Sequence, residues 1–189
     1  MSAKIAILNA NYIAERLKDD YRIVFKGAMG RVAHELILDC NNFKKSTGIT
    51  EEDIAKRLID YGFHAPTMSW PVVGGLMIEP TESEDKLEID RFIDSLKRIR
   101  AEIAEIESGE ADKVDNVLKN SPHTLRHLMD NEWNHSYDRQ KAGHPAPWIH
   151  LRGKVWPAVG RVDQAYGDRN LVCTCPPIQE YFDAESNRL

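Results

Sequence analysis

Seven apolar residues, Ile89, Phe92, Ile93, Leu96, Ile99, Ile103 and Ile106, recur at steps of three and four. That spacing keeps one face of an α-helix apolar through about residue 107, and such a face has to lie on a core. Thr81-Glu82-Ser83-Glu84 precedes the stripe with a capping-box pattern, so the helix is expected to start near residue 84, with Gly109 as its stop. Two shorter helices are expected beside it. In residues 5–20, Ile5, Leu8, Tyr12, Ile13 and Leu17 can share a stripe. Thr50 with Asp53 opens a second helix over 51–60, and Gly62 closes it.

Strand signals separate these helices. Arg22-Ile23-Val24-Phe25 and residues 31–39 flank the turn Gly27-Ala28-Met29-Gly30 and read as an antiparallel hairpin, with Val32, His34, Leu36 and Leu38 on one side. Residues 72–78 form the most apolar strand. The order places the chain in the α+β class: a small antiparallel or mixed sheet covered by helices over 1–109. Residues 110–189 then form an irregular arm, a last strand at 171–175 and a polar, frayed tail at 183–189. The arm holds Trp133, Trp148, Trp156 and five of the seven histidines. It is aperiodic and broken by proline, so it is expected to owe its order to a partner surface.

Several chemistries are not supported. A net charge of −5 argues against a nucleic-acid footprint over the whole chain, and no apolar run is long enough for a membrane helix. The start, Met1-Ser2-Ala3-Lys4, has no signal-peptide pattern. Three cysteines do not make a disulfide scaffold, and Cys173 and Cys175 would face the same side of a strand without bonding each other. These features suggest a soluble intracellular domain. Neither Gly27-x-x-Gly30 nor Gly74-Gly75 matches a phosphate-binding loop. His123 and His127, four apart, could share a helix face toward a metal, but no third ligand is identifiable and no metal centre is assigned.

The segment Tyr61-Gly62-Phe63-His64-Ala65-Pro66-Thr67-Met68-Ser69-Trp70-Pro71 packs aromatics, a histidine and two hydroxyls between two stiffening prolines. By its chemistry it is either the wall of a binding site, offering His64, Thr67 and Ser69, or a structural crossover. No nucleophile–base–orienter set accompanies it, so no catalytic residue is assigned.

The same segment, with Gly30-Arg31-Val32-Ala33-His34-Glu35, Glu79-Pro80-Thr81-Glu82-Ser83-Glu84, the Trp133-x-x-x-Tyr137-x-Arg139 spacing and Tyr166-Gly167-Asp168-Arg169-Asn170-Leu171-Val172-Cys173-Thr174-Cys175-Pro176-Pro177, resembles the C-terminal domain of the glycine decarboxylase family, the P-protein of the glycine cleavage system. The resemblance implies the small domain of a fold-type-I pyridoxal phosphate (PLP) enzyme that decarboxylates glycine and passes the aminomethyl group to the lipoyl arm of H-protein. It further implies a homodimer that is mitochondrial in a eukaryote and cytoplasmic in a bacterium. The family's PLP lysine follows a histidine and precedes a glycine-rich stretch; no lysine here follows a histidine. The cofactor is thus expected to sit mainly in a separate large domain, and this chain by itself is expected to be inactive. No arginine in 72–79 is available for a substrate carboxylate. The competing expectation is a stand-alone, non-enzymatic interaction module or a decayed remnant.

Overall fold

A computed structural model describes residues 1–172 and 177–179. The strand expected at 171–175 and the tail at 183–189 fall wholly or mainly outside the described residues, as do Cys173 and Cys175. Strands β1 (Arg22–Val24), β2 (Leu36–Asp39), β3 (Thr67–Met68) and β4 (Gly75–Ile78) form one sheet in the order β1-β2-β4-β3. Every neighbouring pair is antiparallel. Helices α1 (Ser2–Leu17), α2 (Asn41–Thr47), α3 (Glu51–Asp60) and α4 (Lys86–Ser108) build the core with the sheet. The architecture is α+β, with an antiparallel sheet.

Helix α4 carries the core. Ile89, Ile93, Leu96, Ile99, Ile103 and Ile106 are buried along it, and Gly109 caps it at positive φ. Its start differs from expectation. Asp85, not Thr81, accepts the Glu88 amide at 2.8 Å, while the Thr81 and Ser83 hydroxyls bond each other at 2.7 Å. Helix α3 begins with the expected reciprocal capping box between Thr50 and Asp53. It ends in paired backbone bonds, Gly62 N to Ile59 O and Phe63 N to Leu58 O, both 3.0 Å. These bonds need a residue at φ +86°, where glycine has no Cβ penalty.

Other expectations are corrected. In α1 the inward stripe is Ala10, Ile13, Ala14 and Leu17, and Leu8 is 66% exposed. The strand expected over 31–39 is confined to Leu36–Asp39. Asn11 takes both backbone bonds of Val32, donating to its carbonyl at 2.8 Å and accepting from its amide at 3.1 Å, so no strand partner can have them. His34 is exposed and pairs with Glu79 at 3.8 Å instead of joining a buried face. The strand expected from residue 72 starts at Gly75, because Val72–Gly75 is a turn closed by Gly75 N to Val72 O at 3.0 Å. Helix α2 and strand β3 carry no strong local signal: α2 is a single short amphipathic piece, and β3 is two residues recruited by Met77 and Leu76.

The largest correction concerns the arm. It contains the short helices α5 (Leu125–Met129), α6 (Arg139–Gly143), α7 (Pro147–Arg152) and α8 (Gln164–Arg169). Val117, Leu118, Ala146 and Ile149 are buried in the domain's own core. The part of the arm from about 116 to 149 therefore packs on this chain's own core. From Leu151 onward the picture reverses, with Leu151, Val155, Val159, Val162, Tyr166, Leu171 and Val172 exposed.

Candidate functional site

The Phe63 ring fixes the course of the 61–71 segment. It packs edge-on against Phe92 of α4, with ring centroids 5.2 Å apart, and the Arg91 guanidinium lies 4.1 Å above it. The chain then runs along β3 and leaves a groove of about 470 Å³ between the segment, the end of β4 and the start of α4. Ile13, Phe63, Ile78, Ile89 and Phe92 give it an apolar floor. His64, Thr67, Glu79, Glu84 and Glu88 supply its polar lining. His64 and Thr67 are both exposed, and neither side chain has a hydrogen-bond partner among the described residues. The fold therefore brings two of the three expected wall residues to one groove, open to a ligand.

Ser69 does not line that groove. Its hydroxyl donates to Glu51 Oε1 at 2.6 Å and accepts from Gly74 N at 3.2 Å, and its own amide donates to Gly75 O at 2.8 Å. It sits at φ +54°, a strained value for a residue with a side chain. Three hydrogen bonds hold it there and tie the 69–75 turn to the first turn of α3. Gly74 completes the turn at φ +81°, where a Cβ would come within 2.5 Å of the Asn41 side chain.

Behind the segment lies a buried polar network that local spacing did not reveal. Arg57 is fully buried. It donates to Glu102 through Nε and Nη2 (3.0 and 2.6 Å), to Asp60 Oδ2 (3.0 Å), and to the carbonyls of Ala142 (2.9 Å) and Lys141 (2.8 Å). Asp60 also accepts from Ser121 Oγ (2.9 Å), from the His123 amide (2.8 Å) and from His123 Nδ1 (2.7 Å). Burial works against the Asp60 carboxylate, but the His123 hydrogen bond and the Arg57 and Lys154 charges prevail and hold it below the ordinary carboxylate value. The Tyr61 hydroxyl donates to Glu102 at 3.0 Å, and burial followed by that carboxylate pushes the phenol up. Two cations and two carboxylates thus balance, and their spare hydrogen bonds pin the arm to α3.

PLP requires a lysine amine able to reach it and a cradle for its phosphate. Lys154 is held down to about 8 by burial first, with the Asp60 charge opposing that shift and the Arg57 charge adding to it. However, its side chain is fully buried, its amine donates to the Asp60 carbonyl at 2.8 Å, and it lies 4.2 Å over the Trp156 ring. It is a structural cation. The glycine amides are also in use: Gly27 N bonds Arg31 O, Gly30 N bonds Gly27 O, and Gly74 and Gly75 close the 69–75 turn. The described residues do not compose a PLP site on their own. Nor does the His123/His127 spacing make a metal pair, because both His123 ring nitrogens are taken, by Asp60 and by the Tyr137 hydroxyl at 2.9 Å.

Residues 2–123 match the family described as Glycine dehydrogenase, C-terminal domain. Over 182 residues the chain is 58% identical to a glycine dehydrogenase (decarboxylating) of Pelagibacter ubique, covering 96% of this chain and 19% of that protein. It is 59% identical over 181 residues to the protein of the same name from Bordetella avium, again covering 96% and 19%. A glycine dehydrogenase (decarboxylating) A, mitochondrial, from Flaveria pringlei is 58% identical over 180 residues, covering 95% of this chain and 17% of that protein. The chain spans about a fifth of the length of these curated relatives.

Proposed function

This chain belongs to the glycine dehydrogenase C-terminal-domain family, and from that premise we propose that it serves as the small domain of a PLP-dependent glycine decarboxylase. The observation that carries this reading is identity near 58% sustained over 95–96% of the chain, which includes the groove-lining segment. When bound, PLP supplies the electron sink for loss of the carboxyl group as CO2. The cofactor's lysine and phosphate cradle come from the larger part of the enzyme, since the residues here do not fit it alone. The contribution of this domain is a rigid wall. Phe63 anchors the segment, Ser69 and Gly74 fix its far end, and His64 and Thr67 present a ring nitrogen and a hydroxyl toward the cleft. The aminomethyl group is then taken by the lipoyl arm of H-protein. The exposed apolar run from Leu151 to Val172 supports contact with the rest of the polypeptide or with a second subunit of a homodimer. The enzyme works in mitochondria in a eukaryote and in the cytoplasm in a bacterium. No helix among the described residues is long and apolar enough to cross a membrane.

Two measurements test this. The 189-residue chain mixed with PLP, glycine and lipoylated H-protein is expected to release no CO2 above the protein-free control. Release above that control overturns the assignment of the cofactor to the larger part. In the full-length enzyme, His64→Ala is expected to lower glycine turnover about tenfold or more. That is the order of losing one hydrogen bond to a charged group, ~1.5–3 kcal/mol. The melting temperature is expected to stay within about 2 °C, because an exposed side chain without partners contributes little to folding. Unchanged kinetics with a lowered melting temperature makes His64 a structural residue of the crossover.

A further inference from the structure

His127 lies on α5 and His135 in the loop before α6. The fold brings their Nε2 atoms to 3.1 Å. We infer that this pair is a binding site for a divalent transition-metal ion such as Zn2+ or Ni2+, with water filling the remaining coordination positions. Two imidazole nitrogens on one tetrahedral ion, each about 2.0–2.1 Å from it, lie about 3.3 Å apart, so the observed separation needs only a small opening.

The surroundings suit a ligand pair. Asp115 Oδ1 stands 2.7 Å from His135 Nδ1. A proton on that Nδ1 leaves the lone pair of Nε2 facing His127. A carboxylate behind a histidine in this way orients the ring and raises its basicity as a ligand. Asp115 is itself held by the Ser136 amide at 2.7 Å and by Asn120 at 2.8 Å. The Trp133 ring packs beside both imidazoles, with centroids 5.1 Å from His127 and 4.9 Å from His135, and limits how far either can turn. Both histidines are only partly buried, so an ion can reach them. Among the described residues no third histidine, cysteine or carboxylate joins them, which leaves open positions. The same contact without an ion is a hydrogen bond with one proton between the two nitrogens, and an ion would displace that proton.

A second histidine pair provides an internal control. The His144 and His150 rings are stacked, 4.8 Å apart at 8°. Their faces meet, and nitrogen lone pairs in near-parallel planes do not converge on one ion.

The test is calorimetric titration of the intact, untagged protein, stripped with chelator, with Zn2+ and separately with Ni2+ at pH 7.5. One ion per chain is expected. His127→Gln and His135→Gln are each expected to weaken binding at least tenfold. Asp115→Asn is expected to weaken it about tenfold. The combined His144→Gln/His150→Gln variant is expected to bind as the parent does. With Cu2+ as a probe, electron paramagnetic resonance is expected to show coupling to two imidazole nitrogens. Absence of saturable binding overturns the site. So does binding that survives His127→Gln, or binding lost with His144 and His150. If His135→Gln fails to fold, His127→Gln decides the matter, because the only side-chain hydrogen bond of its ring among the described residues is the one to His135.

Discussion

Arg57→Ala is expected to cost about 4 kcal/mol of folding stability. The substitution removes a guanidinium that reaches two carboxylates and two carbonyls. Glu102 and Asp60 are then left as buried anions with only Lys154 nearby, and the Lys141 and Ala142 carbonyls lose their donor. Breaking a buried ion pair from one side typically costs 3–5 kcal/mol, out of a total stability of about 5–15 kcal/mol. For a chain of this size that is a drop in melting temperature of about 10–15 °C. Hydrogen exchange adds a readout specific to the arm: protection is expected to fall most over 116–149, the stretch that the network pins. Arg57→Lys is not expected to rescue, because a single ammonium cannot span the same forked set of acceptors. A loss below about 1 kcal/mol would mean that the arm is held by Val117, Leu118, Ala146 and Ile149 alone. The network also gives a pH dependence. Asp60 is depressed in the folded chain, so its contribution is present above the ordinary carboxylate range and is lost as the pH falls through the lowered folded value.

Ile99→Ala is expected to cost about 3 kcal/mol. Ile99 is 0% exposed in the middle of the buried face of α4. Truncating a buried isoleucine to alanine removes transfer free energy and leaves a cavity, and the observed range is about 2–5 kcal/mol. Alanine is a good helix former, so the helix itself is not weakened and the loss reports packing. Urea unfolding checks it: the midpoint is expected to fall while the slope stays at the parent value. Ile99→Val is expected to cost about 1 kcal/mol, because the cavity is one methyl group. A loss under about 0.5 kcal/mol for Ile99→Ala would contradict the burial of this face.

Both predictions concern buried residues, but only one was visible before the fold. The helical phase that buries Ile99 is written into the chain at steps of three and four, where each residue's neighbours on the face lie within one or two turns. The same holds for Thr50 with Asp53, and for Gly62 ending α3, since caps are contacts across three to five residues. The run from Tyr61 to Pro71 identified the family and offered His64, Thr67 and Ser69 as the wall of a binding site or as parts of a structural crossover. It could not show that Ser69 spends its hydroxyl on Glu51 and Gly74.

The stretch of the arm from 116 to 149 was misjudged for the same reason. It has no period, and its order comes from Arg57 reaching across to Ala142 and Asp60 to His123, pairs 85 and 63 residues apart. The strand expected over 31–39 was shortened by one side chain, Asn11, taking the Val32 backbone from 21 residues away. His127 was paired by spacing with His123 and is paired by the fold with His135. Periodicity and the capping of α3 are local, so this chain determined its own long helix, the ends of α3 and its family. Hydrogen bonds between distant segments leave no repeating trace, so the extent of the strands, the docking of the arm and the partner of each histidine were decided only when the tertiary structure brought those segments together.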